Sequence, residues 1–96
     1  MPMPLFRCFI RGDNFPGKLI GRKQPAGFYT TRFVDAASAE EAEMLVVELL
    51  RNDPDLDVAP KHRTQDAKVY FESIDEVPAD TERKPNKGFT FFLMGT

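Results

Sequence analysis

The fold is decided by residues 28–54, FYTTRFVDAASAEEAEMLVVELLRNDP, in which a strand, a helix start and a helix end follow one another. The first seven residues of this stretch are mostly aromatic or β-branched, and this composition favours an extended strand. Ser38 is followed three residues later by Glu41, which makes a capping box whose side chains bind free N–H groups at a helix start. We therefore expect a helix that begins near Ala39 and ends before Pro54.

The expected helix carries one apolar stripe, because its apolar residues recur at intervals of three and four. The stripe contains Ala42, Leu45, Val46, Leu49 and Leu50. A large apolar side chain stabilises a fold by about 1.5–3 kcal/mol when it is buried, whereas a surface ion pair contributes under about 1 kcal/mol. The stripe therefore predicts that the helix docks on a sheet, and that the substitution Leu49→Asp unfolds the domain.

Strands are predicted on both sides of this helix from alternating or continuous apolar residues. The predicted strands span residues 5–12, 28–34, 67–77 and 89–94. The first strand places Phe6, Cys8 and Ile10 on its buried side. The alternation of the third strand breaks near Ser73, which suggests a β-bulge or the end of the strand.

The order strand, strand, helix, strand, strand predicts an α+β fold with two layers. We expect a four-stranded, mainly antiparallel sheet with one helix on one face. The layering is ferredoxin-like, although the second helix of the ferredoxin-like βαββαβ pattern is missing. The 96 residues fit one domain that spans residues 1–96.

One helix leaves the second face of such a sheet without a covering layer, and that face carries aromatic residues of the second and fourth strands. An exposed apolar face favours a partner, so we expect a homodimer that forms through the sheet, or another protein partner. The alternative is that the loops at residues 13–25 and 78–87 fold over this face.

The composition is that of a folded protein, with 42% hydrophobic and 29% charged residues. The single cysteine, Cys8, cannot form an internal disulfide, and the first residues lack the features of a signal peptide. No apolar run approaches the roughly 20 residues of a membrane helix. We therefore expect a cytoplasmic protein that is not inserted in a membrane.

The charges are unevenly distributed: residues 1–34 hold six Lys or Arg and one acid, whereas residues 35–57 hold eight acids and one Arg. These two regions favour attraction within or between chains over attraction to nucleic acid. Residues 87–94, KGFTFFLM, partly match a strand motif of RNA-recognition domains, but that motif belongs on an internal strand followed by a helix. Together with the net charge of −2, this argues against a nucleic-acid partner.

No catalytic, metal or cofactor motif is complete. Residues 53–57, DPDLD, copy the start of a calcium loop, but Val58 and Thr64 replace the glycine and the glutamate that complete it. His62 lies between two basic residues and has no partner near it in the sequence, and Cys8 is expected to be a buried, unactivated thiol. We therefore predict no catalytic residue, no metal site and no cofactor, and we expect that the protein is not an enzyme.

The strongest candidates for ligand binding are polar residues of the first two strands. They are Arg7, Arg11, Thr30 and Arg32. If adjacent strands bring the three arginines to one sheet face beside Phe9 and Phe28, that face would suit a planar anion or a nucleotide. The alternative is that Glu72 of the third strand pairs with one of these arginines.

Four segments carry a resemblance to small bacterial proteins that have no assigned activity. They are GDNF at residues 12–15, GFYTTR at 27–32, ASAEEA at 37–42 and GFTFF at 88–92. The resemblance implies a bacterial, cytoplasmic, single-domain protein and implies no site residue. The function expected from the sequence is a small interaction or assembly module that self-associates through its sheet. The alternative is a small-anion or nucleotide-binding domain, or an enzyme, that uses Arg7, Arg11 and Arg32.

Overall fold

In the computed structural model, one α-helix lies on one face of a four-stranded sheet, within the residues that the structure describes, 3–56, 67–84 and 86–94. The elements are β1 (Leu5–Phe15), β2 (Ala26–Asp35), α1 (Ala39–Arg51), β3 (Lys68–Val77) and β4 (Thr90–Leu93). Short 3-10 turns lie at Gly17–Ile20 and Pro54–Leu56. The predicted α+β architecture with two layers is confirmed.

The strand order is β3-β1-β2-β4, and every neighbouring pair is antiparallel. β1 and β2 form the centre of the sheet, and β3 and β4 form its two edges. The irregularity predicted near Ser73 is a β-bulge. Phe9 of β1 pairs with Ser73 and Ile10 pairs with Phe71, so Glu72 is the extra residue of β3.

The core lies between α1 and the sheet face that α1 covers, which we call the helix face. Its central residues are Phe6, Cys8, Ile10, Phe28 and Val34 of the sheet and Ala42, Val46 and Leu50 of the helix. The predicted helix start is confirmed, because the Ser38 hydroxyl accepts a hydrogen bond of 3.2 Å from the backbone N–H of Glu41. The predicted buried side of the first strand is confirmed as well.

The apolar stripe of α1 is wider than the surface that buries it. Ala42, Val46 and Leu50 are spaced by four residues, form one line along the helix and are buried. Leu45 is 39% exposed and Leu49 is 50% exposed, because both lie on the flank of that line. The prediction that all five stripe residues are core is therefore wrong for Leu45 and Leu49, and the expected unfolding by Leu49→Asp loses its basis.

The second sheet face, which we call the open face, is partly covered by the segment that follows β3. Arg83 makes a bidentate ion pair with Asp35 at 2.9 Å for each bond, and the Asn86 side-chain oxygen accepts a 2.7 Å hydrogen bond from the backbone N–H of Phe33. Phe33 and Leu5 are buried at this end of the face. Of the two loops in the alternative, the segment at residues 78–87 thus covers one end of this face.

The ends of the strands differ from those predicted. β1 continues to Phe15 and β2 begins at Ala26, so the predicted loop at residues 13–25 is shorter and contains one 3-10 turn. No helix among the described residues is long and apolar enough to cross a membrane.

Candidate functional site

Three aromatic rings lie in a row on the open face, one from each of three neighbouring strands. The Phe9 and Tyr29 rings are nearly parallel, with centroids 5.5 Å apart, and the Tyr29 and Phe92 rings have centroids 5.3 Å apart. Tyr29 pairs with Arg11 and with Thr90, so each ring meets the next along a diagonal between strands. We call Phe9, Tyr29 and Phe92 the aromatic row.

The aromatic row remains accessible to solvent, although each ring contacts its neighbour. Phe9 and Tyr29 are each more than a third exposed, and Phe92 is partly exposed. Phe92 lies over Gly27, where a Cβ atom would come within 2.3 Å of the ring. Gly27, which has no side chain, therefore leaves the space that the Phe92 ring occupies.

Arg11 extends the row toward the β3 edge. Its guanidinium carbon lies 4.8 Å from the centroid of the Tyr70 ring, and its Nη1 atom lies 2.8 Å from Glu72 Oε1. Its Nε atom lies 3.2 Å from Asp13 Oδ1, a charge contact that is not aligned as a hydrogen bond. Two carboxylates thus neutralise Arg11, and the alternative in which Glu72 pairs with an arginine is confirmed.

Arg7 lies on the same face, beyond Phe9. Its side chain is half exposed and lies 4.0 Å from Asp75 of β3. Together with Thr31 and Lys84 it lines a depression of about 460 Å³ beneath the segment that follows β3. Arg7 is therefore a loosely paired cation at the rim of the open face.

Arg32 and Thr30 lie on the helix face, because Arg32 pairs with Cys8 and not with an odd-numbered residue of β1. The prediction that Arg7, Arg11 and Arg32 share one face is wrong, since Arg32 is separated from the other two by the sheet itself. Whether any of these residues binds a ligand stays a prediction.

Arg32 is 4% exposed, and its guanidinium contacts several parts of the chain. Its Nη1 atom donates to the Thr30 hydroxyl and to the carbonyl oxygens of Thr31 and Gly88, the latter two at 3.0 and 3.3 Å. Its Nη2 atom lies 3.5 Å from Asp53 Oδ2. Burial lowers the pKa of Arg32, and Asp53 opposes that shift. Arg32 is therefore a structural cation whose guanidinium already binds groups of the same chain.

A cavity of about 350 Å³ lies between the aromatic row and the residues that lead into β4. It is lined by Phe9, Tyr29, Thr30, Thr31, Lys87, Gly88, Phe89 and Thr90. Lys87 is the charged residue of this lining, and no carboxylate belongs to it. The sequence gives no signal for Lys87, because residues 87–94 match an RNA-binding strand motif only in part and otherwise have the pattern of a hydrophobic strand.

Cys8 is fully buried, and burial, followed by the charges of Asp75 and Glu43, raises its pKa to about 11. The thiol is therefore protonated at neutral pH and is a poor nucleophile. His62, Val58 and Thr64, which bear on the catalytic and calcium-loop predictions, lie outside the described residues. Within the described ranges, no group of three or more His, Cys, Asp or Glu residues is placed to hold a metal ion.

Comparisons of this chain with protein-family models, with curated proteins and with solved structures give no match.

Proposed function

We propose that this chain is a non-catalytic assembly module of the bacterial cytoplasm that forms a homodimer by packing two open faces together. The observation that carries the proposal is the aromatic row, whose rings stack on one another while two of the three remain more than a third exposed. An apolar patch of this kind on a soluble domain is typical of a surface that binds another protein.

The charges around the row support a second copy as the partner. Arg11 lies near Glu72 and Asp13, Arg7 lies near Asp75, and Lys87 lies beside the row, so these three cations and three carboxylates carry no net charge. Two such faces can approach each other without repulsion between like charges. Sheets that pack face to face lie about 10 Å apart, a distance that the interdigitated rings of two rows would fill.

The segment that follows β3 does not replace such a partner. It covers the end of the open face that contains Leu5 and Phe33, while Phe9 and Tyr29 remain accessible. Four strands about 4.8 Å apart, three of them with ten or eleven residues and one with four, give a face of about 20 by 30 Å. We therefore expect a dimer at the small end of the range for specific interfaces.

The test compares Tyr29→Ser with Met44→Ser, which removes a more exposed apolar side chain from α1, away from the row. Sedimentation equilibrium of the unmodified chain should give at least the mass of a dimer. Tyr29→Ser removes one ring from each copy, so the interface loses the contacts of two rings. This loss should cost at least about 1.4 kcal/mol, which weakens dimerisation about tenfold. Met44→Ser should leave the dissociation constant unchanged. A monomer at tens of micromolar, or equal dimerisation of both variants, contradicts the proposal.

The cavity beside Lys87 favours a second candidate function, the binding of a small planar anion. An aromatic carboxylate could stack near Phe9 and Tyr29 and pair with Lys87, with no acidic residue in the lining to oppose it. Isothermal titration should then show millimolar binding of benzoate, weaker binding of cyclohexanecarboxylate, and loss of both with Lys87→Gln. Absence of heat with benzoate at millimolar concentration removes this candidate. Because both functions use Phe9 and Tyr29, bound benzoate should also weaken the dimer.

A further inference from the structure

The two edges of the sheet differ in how well they are protected against pairing with another strand. β3 carries Lys68, Glu72, Asp75 and Glu76 and is bent by its bulge, and charges and bulges are the usual protection of an edge strand. β4 lies within residues 88–94, GFTFFLM, which contain no charged residue and no proline. By this criterion β4 is the unprotected edge.

Backbone pairing determines which groups of β4 point outward. The N–H of Met94 donates a 2.9 Å hydrogen bond to the carbonyl oxygen of Pro25 of the neighbouring strand segment. Because hydrogen-bonded and non-hydrogen-bonded pairs alternate along antiparallel strands, Thr90 and Phe92 also direct their backbone groups toward β2. Phe91 and Leu93 therefore direct their N–H and C=O groups away from the sheet.

On the same side of the sheet, the part of β2 that extends beyond β4 is closed by a side chain. Beyond Tyr29, β2 has no strand partner on this side among the described residues, and the Asn86 side chain accepts the hydrogen bond of the Phe33 N–H instead. A side chain thus closes the edge of β2. In β4, both Phe91 and Leu93 are apolar, and Leu93 is 42% exposed.

We propose that β4 pairs in antiparallel orientation with β4 of a second copy, with Phe92 opposite Phe92 of the partner subunit. This register places Phe91 opposite Leu93 of the partner subunit and Leu93 opposite Phe91 of the partner subunit. All four outward-facing residues of the two copies are then in hydrogen-bonded pairs, which gives four backbone hydrogen bonds. A register centred on Phe91 or on Leu93 leaves one outward-facing residue of each strand without its counterpart.

A second copy fits this edge because the strand is complementary to itself. Neither strand brings a charge to the junction, and on the helix face each Leu93 meets a phenylalanine. On the open face, the two Phe92 residues form a non-hydrogen-bonded pair with α-carbons about 4.5 Å apart. The two aromatic rows then join into one row of six rings across an eight-stranded sheet.

This edge interface goes beyond the face-to-face dimer and does not require it. The two-fold axis of the edge pair is perpendicular to the sheet, whereas the axis of the face pair lies parallel to the sheets. Either interface alone gives a dimer, and the two together give a closed tetramer when the perpendicular axes meet. The two proposals can therefore fail separately.

The test uses oxidative cross-linking of Phe92→Cys in the full chain. A non-hydrogen-bonded pair has an α-carbon separation suitable for a disulfide, so we expect a covalent dimer. The native Cys8 is fully buried and should not react. Thr90→Cys is the matched control on the same strand and the same face, because the proposed register separates the two α-carbons of position 90 by about 14 Å.

Two further substitutions assign the cross-link to the edge. Leu93→Pro removes an outward N–H that does not bond to β2, and Leu93→Lys adds a charge to the edge. Each should lower the cross-linked fraction of Phe92→Cys at least tenfold. Leu49→Lys, at a similarly exposed leucine of α1, should leave that fraction unchanged. Tyr29→Ser, which weakens the proposed face dimer, should also leave it unchanged. Thermal melts identify any variant that fails to fold, and Leu93→Lys decides the test if Leu93→Pro is one of them.

Absence of the Phe92→Cys cross-link overturns the edge proposal, and so does a cross-link that persists in folded Leu93→Lys. A cross-link that is lost with Tyr29→Ser and retained with Leu93→Lys assigns it to the face dimer instead. If the cross-link depends on Leu93 while the mass in solution is unaffected by Tyr29→Ser, the edge proposal holds and the face proposal fails.

Discussion

Replacing the buried Arg32 by methionine should destabilise the protein through the approach to β4. Arg32 Nη1 donates to the carbonyl oxygen of Gly88, just before β4, and the guanidinium carbon lies 5.1 Å from the centroid of the Phe89 ring. Methionine fills much of the same volume without a charge or a donor. Arg32→Met therefore removes polar contacts while it leaves little empty space.

The expected change in the free energy of unfolding depends on which hydrogen bonds the former partners of Arg32 keep. The Gly88 oxygen still accepts a 2.7 Å hydrogen bond from the Thr30 hydroxyl, and Asp53 is partly exposed and can be hydrated. The Thr31 oxygen loses its bond to the guanidinium, and a hydrogen bond to a charged group contributes about 1.5–3 kcal/mol. We therefore expect Arg32→Met to lower the free energy of unfolding by about 2 kcal/mol, less than the roughly 3–5 kcal/mol for breaking a fully buried ion pair.

Urea denaturation measures this change, with Arg7→Met as the matched control. Arg7 is half exposed and 4.0 Å from its acidic neighbour, so its replacement should change the free energy of unfolding by under about 0.5 kcal/mol. Hydrogen exchange gives a second measurement. The Phe92 amide, which faces β2, should lose more protection in Arg32→Met than amides between β1 and β2.

A double variant tests whether Asp53 acts through Arg32. The Asp53 carboxylate accepts a 2.9 Å hydrogen bond from the backbone N–H of Asp55. Asp53→Asn keeps a side-chain oxygen that can accept this bond. If the Asp53 carboxylate stabilises the fold mainly by balancing the buried cation, Arg32→Met with Asp53→Asn should be no less stable than Arg32→Met alone, within about 0.5 kcal/mol. Additive losses, or a loss below about 0.5 kcal/mol for Arg32→Met, would refute this reasoning.

Three further predictions concern the helix, one ion pair and the buried thiol. Val46→Asp should unfold the protein because Val46 is fully buried, whereas Leu49→Asp should retain a cooperative thermal transition near that of the unmodified chain. The hydrogen bond from Arg83 holds the pKa of Asp35 below its usual 3.8, so the stability that Arg83→Gln removes should be present above about pH 4 and should disappear as the pH falls through the lowered pKa. Because burial raises the pKa of Cys8 from 9.0 to about 11, the contribution of its protonated thiol to the free energy of unfolding should be complete below pH 9 and lost as the pH rises toward 11. In denaturant titrations, Cys8→Ala should therefore reduce the loss of stability at alkaline pH.

The local signals of the chain predicted the type and order of its helix and strands, but not every strand end. The Ser38 capping box placed the helix start correctly, and the broken alternation near Ser73 located a β-bulge. Both features depend on residues that are close in sequence, so local patterns carry them. The early turn signals at residues 12–14 misplaced the end of β1, because pairing with Ala26 extends that strand to Phe15.

The candidate site depended on information that no local pattern contains. The hypothesis that Arg7, Arg11 and Arg32 share one face fails because the face of Arg32 depends on its register against Cys8, and a shift of one residue reverses that face. The exposure of Leu49 depends on how much sheet α1 covers. Lys87 lines a cavity because the tertiary fold brings the residues before β4 next to the aromatic row.

The sequence by itself determined the order of the elements, the helix start and the inner side of β1, because hydrogen bonding and apolar periodicity within a short segment govern them. Tertiary structure alone decided the strand order β3-β1-β2-β4, the separation of the arginines and the unprotected edge of β4. Those features depend on contacts between residues far apart in the chain. Their free energies depend on which faces and edges meet, which becomes defined only when the whole sheet has formed.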